Sequence, residues 1–265
     1  MDNISKTSIL KILPVKKEEE KPSILNPILP IFPSCTCIVA PPRAGKSNLV
    51  MNLLCNKSFY YCGNENDPEN PSFYDEIYYF SPTSRFDKTT KNVLSKMDNV
   101  TQIDDMDDLQ HTNLFVEEIQ KSQKNWDEEE EGRPRPKILL VYDDMVGLLA
   151  QTKVDILSTK FRHYNFSVLC ISQSYKKLPP VLRNCMTAFI WFNMMSHKEN
   201  EKLYLEHGQN IPGYWEHLKL LDKKYQFLYY SIETQELYHN FERLIWSKDQ
   251  QLEGAYDKEE DEDED

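Results

Sequence analysis

The stretch Ala40-Pro41-Pro42-Arg43-Ala44-Gly45-Lys46-Ser47 constrains this chain more than any other, because it joins the β-branched run CTCIV to the apolar run LVMNLLC. It fits the phosphate-loop spacing G-x-x-x-x-G-K-[ST] at every position but the first, where Ala40 replaces glycine. Such a loop works because successive backbone N–H groups and a helix N-terminus converge on anionic oxygens. Lys46 is then placed to reach β- and γ-phosphates, and Ser47 to offer a hydroxyl to Mg²⁺. Gly45 lets the backbone approach a phosphate closely. Ala40 is compatible with the loop if its φ stays negative, and Pro41 and Pro42 stiffen the turn. The spacing therefore predicts an ATP site over Pro41, Pro42, Arg43, Ala44, Gly45, Lys46, Ser47 and Asn48, with a helix from Lys46 to Cys55.

The rest of the chain reads as α/β. Short apolar runs, CTCIV, EIYYF, NVTQI, KILLVY, FSVLCIS, TAFIWF and YQFLYYSI, alternate with longer helical or irregular segments. Near-continuous apolar runs of this length suit strands covered on both faces, as in a mostly parallel sheet with helices on either side. Thr152-Lys153-Val154-Asp155 signals a helix start, running toward Arg162. The net charge of −12 lies in two acidic runs, Asp127 to Glu131 and Asp257 to Asp265, and the remaining chain is neutral. Blocks of like charge repel and stay extended, so both are expected as solvated loop or tail rather than a metal cage. The six cysteines include no C-x-x-C pair and suit buried thiols in a reducing compartment. The apolar stretch ILNPILPIF is broken by prolines and too short to cross a bilayer, so a soluble intracellular protein is expected. Three segments follow: an extended Pro-rich, charged arm over 1–34, one ATPase domain over 35–245 and an acidic disordered tail over 246–265.

About a hundred residues after the loop, KILLVYDDM delivers Asp143 and Asp144 at the C-terminal end of an apolar strand, where ligands bind in open α/β sheets. Asp143 is expected to hold Mg²⁺ with Ser47, and Asp144 to orient or deprotonate the attacking water. On the next strand NFSVLCISQS carries Gln173 to the same edge, where an amide can contact both the γ-phosphate and that water, with Ser172 or Ser174 as lesser candidates. Arg183 in VLRNC and Arg162 in KFRHYNF are candidates for a cation that neutralises transition-state charge across a subunit boundary. An arginine before a strand also commonly pairs with a surface carboxylate.

The order APPRAGKS, LLVYDDM, FRHYNFSVLCISQSY, LPPVLRNCMTAFIWF resembles the DNA-packaging ATPases of poxviruses, other nucleocytoplasmic large DNA viruses and virophages, a branch of the FtsK–HerA superfamily. The similarity spans roughly residues 30–240, and its most specific part is R-H-x-N-x-S-V-x-x-x-x-Q from Arg162 to Gln173. The resemblance implies a RecA-like core widened by strands between the loop and the aspartates. It also implies a pentameric or hexameric ring of subunits with ATP between neighbours, and translocation of double-stranded DNA into a preformed capsid docked through capsid or vertex proteins. On that resemblance Lys46 and Ser47 match the Walker A pair, Asp143 and Asp144 the Walker B pair, Gln173 the sensor, and Arg183 or Arg162 the trans-acting arginine. Duplex contact would be sequence-independent, through phosphates, with Lys153, Lys176 and Lys177 as candidates. The host cytoplasm, a viral factory or the virion is the implied location. A helicase or translocase not tied to packaging uses the same ATP site, and a catalytically silent nucleotide-binding assembly protein is a third reading. A small-molecule kinase would add an acceptor pocket and an Arg-rich lid, for which no signal is present.

Overall fold

The computed structural model describes residues 26–60, 72–83, 86–104, 109–129, 134–145, 148–149, 152–193 and 196–250. The arm before residue 26, the tail after 250, Cys62 and the acidic side chains of Asp127 to Glu131 lie outside the described residues or side chains. Nine strands form one sheet: β1 (Cys35–Val39), β2 (Glu76–Phe80), β3 (Val100–Ile103), β4 (Ile138–Asp143), β5 (Phe166–Ser172), β6 (Ala188–Phe192), β7 (Phe227–Ser231), β8 (Glu236–His239) and β9 (Arg243–Ser247). Their order is β3-β2-β4-β5-β1-β6-β7-β8-β9. The five pairings from β3 to β6 are parallel, and the three from β6 to β9 are antiparallel. The helices are α1 (Lys46–Cys55), α2 (Lys88–Leu94), α3 (Leu109–Glu129), α4 (Val154–Lys160), α5 (Pro180–Asn184), α6 (His197–Glu206) and α7 (Tyr214–Leu218).

Side chains alternate across each strand, so an apolar run feeds two cores. Cys35, Cys37, Val39, Leu140 and Tyr142 face one layer, which Val116, Val154, Leu182 and Leu203 of the covering helices complete. Ile38, Leu139 and Val141 face the other, closed by Leu49, Val50, Leu53 and Leu54 of α1 and Leu94 of α2. Both layers are needed because β1, β4, β5 and β6 are buried along their whole length.

The expected strands and α1 are found, with two corrections. The segment boundaries at 34/35 and 245/246 cut through packed structure. Leu29, Phe32 and Ser34 are buried, as is Ser247 at the end of β9. The helix expected from Thr152 starts at Val154 and ends at Lys160 with Lys153 at its N-cap position, and the Thr152 hydroxyl donates to the Leu149 carbonyl at 2.8 Å while accepting from the Val154 N–H at 3.4 Å. The R-H-x-N-x-S-V run is largely architectural. Asn165, at φ 55, donates its amide to the Arg135 and Pro136 carbonyls, both at 3.1 Å, and so ties the start of β5 to the start of β4. Ser167 accepts from the Ser34 N–H at 3.0 Å.

Candidate active site

The phosphate loop leaves β1 at the C-terminal edge of the sheet. Ala40 is fully buried, donates its N–H to the Ser172 carbonyl at 3.1 Å and is not among the residues with positive φ, so its side chain is accommodated where glycine was expected. The turn is made instead by Arg43 (φ 63) and Gly45 (φ 104), and left-handed residues in such a turn leave successive N–H groups facing one concavity. No side chain caps α1 and its first turn has no acid, so its N-terminal N–H groups and the positive end of its dipole are left for an anion.

Parallel pairing brings the other parts to this edge. In the sheet, β5 lies between β1 and β4, so Gln173 stands between the loop and the aspartates. Asp143, the last residue of β4, is only 7% exposed. Its Oδ2 accepts a hydrogen bond from the Tyr79 hydroxyl of β2 at 2.7 Å. Burial raises its carboxyl above the ordinary range. The Tyr79 hydrogen bond and the Lys46 charge oppose that rise, and the charges of Asp144 and Asp87 add to it. Burial and then the Asp143 charge push the Tyr79 phenol up, so it remains a donor. Asp144 adopts φ 55, which Asp tolerates better than most residues, and turns its half-buried carboxylate to Gln173, whose Nε2 donates to Oδ1 at 2.7 Å.

This donor set fits Mg²⁺. It offers oxygen only, from Ser47 and Asp143, and the Tyr79 hydroxyl engages Oδ2 of the Asp143 carboxylate. Tyr79 and Asp87 adjoin Asp143, and the sequence pattern did not single them out. Asp87 caps α2, accepting from the Thr89 N–H at 3.0 Å and the Thr90 hydroxyl at 2.9 Å. Nor did it single out Tyr225, whose ring packs directly over Gly45.

The arginines lie elsewhere. Arg162 and Arg183 precede β5 and β6, which places both toward the N-terminal edge of the sheet, away from their own phosphate loop. Arg183, one of the two candidate cations, takes the carboxylate pairing that the sequence also allowed. Its side chain, 11% exposed, pairs with Glu206 at 2.8 Å, and the guanidinium lies 5.2 Å from the Tyr175 ring centroid. Although burial works against ionisation of Glu206, hydrogen bonds from Lys202 and Tyr175 and the Arg183 charge hold its carboxyl below the ordinary value. Arg162 is 63% exposed and makes a 3.1 Å pair with Glu233. Of the lysines, Lys153 is paired with Glu117, whereas Lys176 and Lys177 stand exposed in the turn just after Gln173. That turn is held by Glu199, which accepts from the Ser174 hydroxyl at 2.9 Å and the Tyr175 N–H at 2.8 Å. Ser172 donates inward to the Ser174 carbonyl and is buried. Cys35, Cys37 and Cys170 are buried free thiols. No helix among the described residues is long and apolar enough to cross a membrane.

The family profile described as Poxvirus A32 protein matches residues 73–211, more than half of the chain. The match takes in Asp143, Asp144, Gln173 and both arginines and begins beyond the phosphate loop, so loop and profile are independent observations. No curated protein matches the chain. Among solved structures, the fold is similar to the DNA-packaging ATPase B204 from Sulfolobus turreted icosahedral virus, at 15% identity over 78% of this chain and 96% of that one, with a TM-score of 0.53. The genome packaging NTPase B204 from Sulfolobus turreted icosahedral virus 2, in complex with ATP-gammaS, is 16% identical over 78% of this chain and 96% of that one, with a TM-score of 0.51. The cytoplasmic domain of the type VII secretion ATPase EccC from Thermomonospora curvata is 17% identical over 78% of this chain and 25% of that one, with a TM-score of 0.53.

Proposed function

Because this chain belongs to the Poxvirus A32 protein family, we propose that it is the ATP-driven motor that moves viral double-stranded DNA into a preformed capsid. The observation that carries the reading is the convergence of the phosphate loop, Asp143, Asp144 and Gln173 on one edge of a RecA-like sheet. Lys46 and the N–H groups opening α1 hold the triphosphate. Ser47 and Asp143 would hold Mg²⁺, which would neutralise charge on the phosphate oxygens. Asp144 takes the proton of the attacking water, and Gln173 keeps its carboxylate aimed. Gln173 also directly precedes the turn that carries Lys176 and Lys177, so a change at the γ-phosphate has a short path to two exposed cations suited to a DNA backbone. The fold by itself does not choose the cargo, since a secretion ATPase shares it, and the choice of DNA rests on the family.

In this reading ATP lies between neighbouring subunits of a ring of five or six, and Arg162, exposed and held by its pair with Glu233 and by the Phe161 ring, is the better placed trans-acting cation. Capsid or vertex proteins dock the ring, and its place of work is the host cytoplasm, a viral factory or the virion. The test is ATP turnover of the purified chain with and without duplex DNA, beside Lys46→Ala. DNA-stimulated, Mg²⁺-dependent hydrolysis that Lys46→Ala abolishes is the expected result. Turnover indifferent to DNA, or unaffected by Lys46→Ala, defeats the proposal.

A further inference from the structure

A second feature adjoins the phosphate loop on the side away from Asp143. A cleft of about 200 Å³ opens beside Gly45, lined along α1 by Asn48 and Asn52 and walled by Phe59, Tyr225 and Phe241. Its floor is aromatic and already packed. Phe192 and Phe227 have ring centroids 5.4 Å apart, Phe227 and Phe241 5.1 Å, and Phe59 and Phe241 5.5 Å. Tyr225 differs from all of these. The residue is 58% exposed, its ring makes no ring–ring contact among the described residues, and its backbone sits at φ 73, a conformation that costs a non-glycine residue energy. The loop holds it there: the Lys223 N–H donates to Oε1 of Gln226 at 2.9 Å, and the Lys224 ammonium stands 4.7 Å from the ring centroid. The ring presses so closely on the phosphate loop that a Cβ at Gly45 would lie 2.6 Å from its Cδ1. Core packing asks for none of this, because an exposed ring gains little by burial.

We infer that Tyr225 is the stacking wall for the purine base of the nucleotide whose phosphates the loop holds, an assignment that rests on the ATPase reading. A triphosphate seated on the N–H groups opening α1 carries its nucleoside along that helix face, where Asn48 and Asn52 border the cleft. An exposed aromatic face beside an apolar floor is the surroundings a flat heteroaromatic base prefers, and stacking tolerates variation at the base edge. A purine offers the larger face and gains more than a pyrimidine. Gly45 therefore has two duties, the positive φ of the loop and room for this ring.

The experiment measures equilibrium binding of ATP, CTP and inorganic tripolyphosphate to the full chain, to Tyr225→Ala and to Tyr225→Trp, with Lys46→Ala as the phosphate-site control. Tyr225→Ala is expected to bind ATP roughly tenfold or more weakly, the loss typical of removing one base–aromatic stack, to lose the preference for ATP over CTP, and to bind tripolyphosphate unchanged. Tyr225→Trp should keep ATP affinity. Equal ATP affinity in Tyr225→Ala and the unaltered chain overturns the inference, and so does an equal loss of ATP and tripolyphosphate. If the unaltered chain binds ATP no better than tripolyphosphate, only the base site fails. If it binds neither, the ATPase reading fails and this inference with it.

Discussion

The hydroxyl of Tyr79 offers the sharpest test of how the metal end of the site is built. Tyr79→Phe keeps the ring, which is buried, and deletes only the donor 2.7 Å from Oδ2 of Asp143. A hydrogen bond to a charged acceptor contributes about 1.5–3 kcal/mol, and its loss leaves a carboxylate oxygen buried without compensation. The hydrogen bond is one of the influences holding the Asp143 carboxyl down against burial, so the variant's carboxyl rises further above its ordinary range. Protons then compete better with Mg²⁺, and groups that orient a metal ligand typically contribute about 10–100-fold in metal affinity or activity. We expect the Mg²⁺ concentration for half-maximal turnover at pH 7 to rise by roughly that factor, with turnover at saturating Mg²⁺ close to normal. The deficit should deepen as pH falls, because protonated Asp143 cannot hold the ion. Titrations of Mg²⁺ at several pH values, with a melting curve to establish folding, make the measurement. An unchanged Mg²⁺ midpoint in a folded Tyr79→Phe protein refutes the assignment of Asp143 to metal through Tyr79.

Other perturbations separate the remaining parts. Because burial raises the Asp143 carboxyl, the native state binds that proton more tightly than the unfolded chain, and the residue lowers stability as pH rises from the ordinary carboxylate range through its raised value. Without Mg²⁺ at pH 7, Asp143→Asn should therefore melt higher than the unaltered chain, and the difference should vanish at acid pH; a lower melting point at pH 7 would contradict this. Asp144→Asn should bind ATP within a few-fold of normal yet turn over about 10²–10⁴-fold more slowly, and Gln173→Ala should move the same way by less. Loss of ATP binding in Asp144→Asn would move that residue to the metal. Arg183→Ala should cost about 1–3 kcal/mol of stability by breaking its part-buried pair with Glu206, whereas Arg162→Ala should change stability by less than about 1 kcal/mol. If Arg162 acts in trans, its Ala variant binds ATP but hydrolyses it poorly, and mixing with Asp144→Asn restores some turnover; full activity of Arg162→Ala alone removes it from the reaction.

Features specified over a few residues could be read directly. The run CTCIV-APPRAGKS-NLVMNLLC carries its own strand, loop and helix, because backbone N–H groups, a glycine and an apolar period all act locally. Asp143 was legible for the same reason, since an acid ending the fully buried strand ILLVYD must lie at a sheet edge. The hairpin of β8 and β9 was not foreseen. ELYH and RLIWS are short and half-buried, and they extend a parallel sheet by antiparallel pairing that only the neighbouring strand specifies.

The chain's order of motifs determined the phosphate site, the acidic strand end and the sensor amide, each a matter of local pattern and of the rule that parallel strands share one edge. Which side chains modify those groups was decided by tertiary structure. Tyr79 meets Asp143 across 64 residues because β2 inserts beside β4. Tyr225 meets Gly45 because β7 folds back against β6. Arg183, which looks in sequence like a spare cation, is occupied because α6 returns Glu206 to the same edge of the sheet. A side chain's charge and shape are written in its identity, but its partner is set by strand order and burial, and these depend on the packing of the whole sheet.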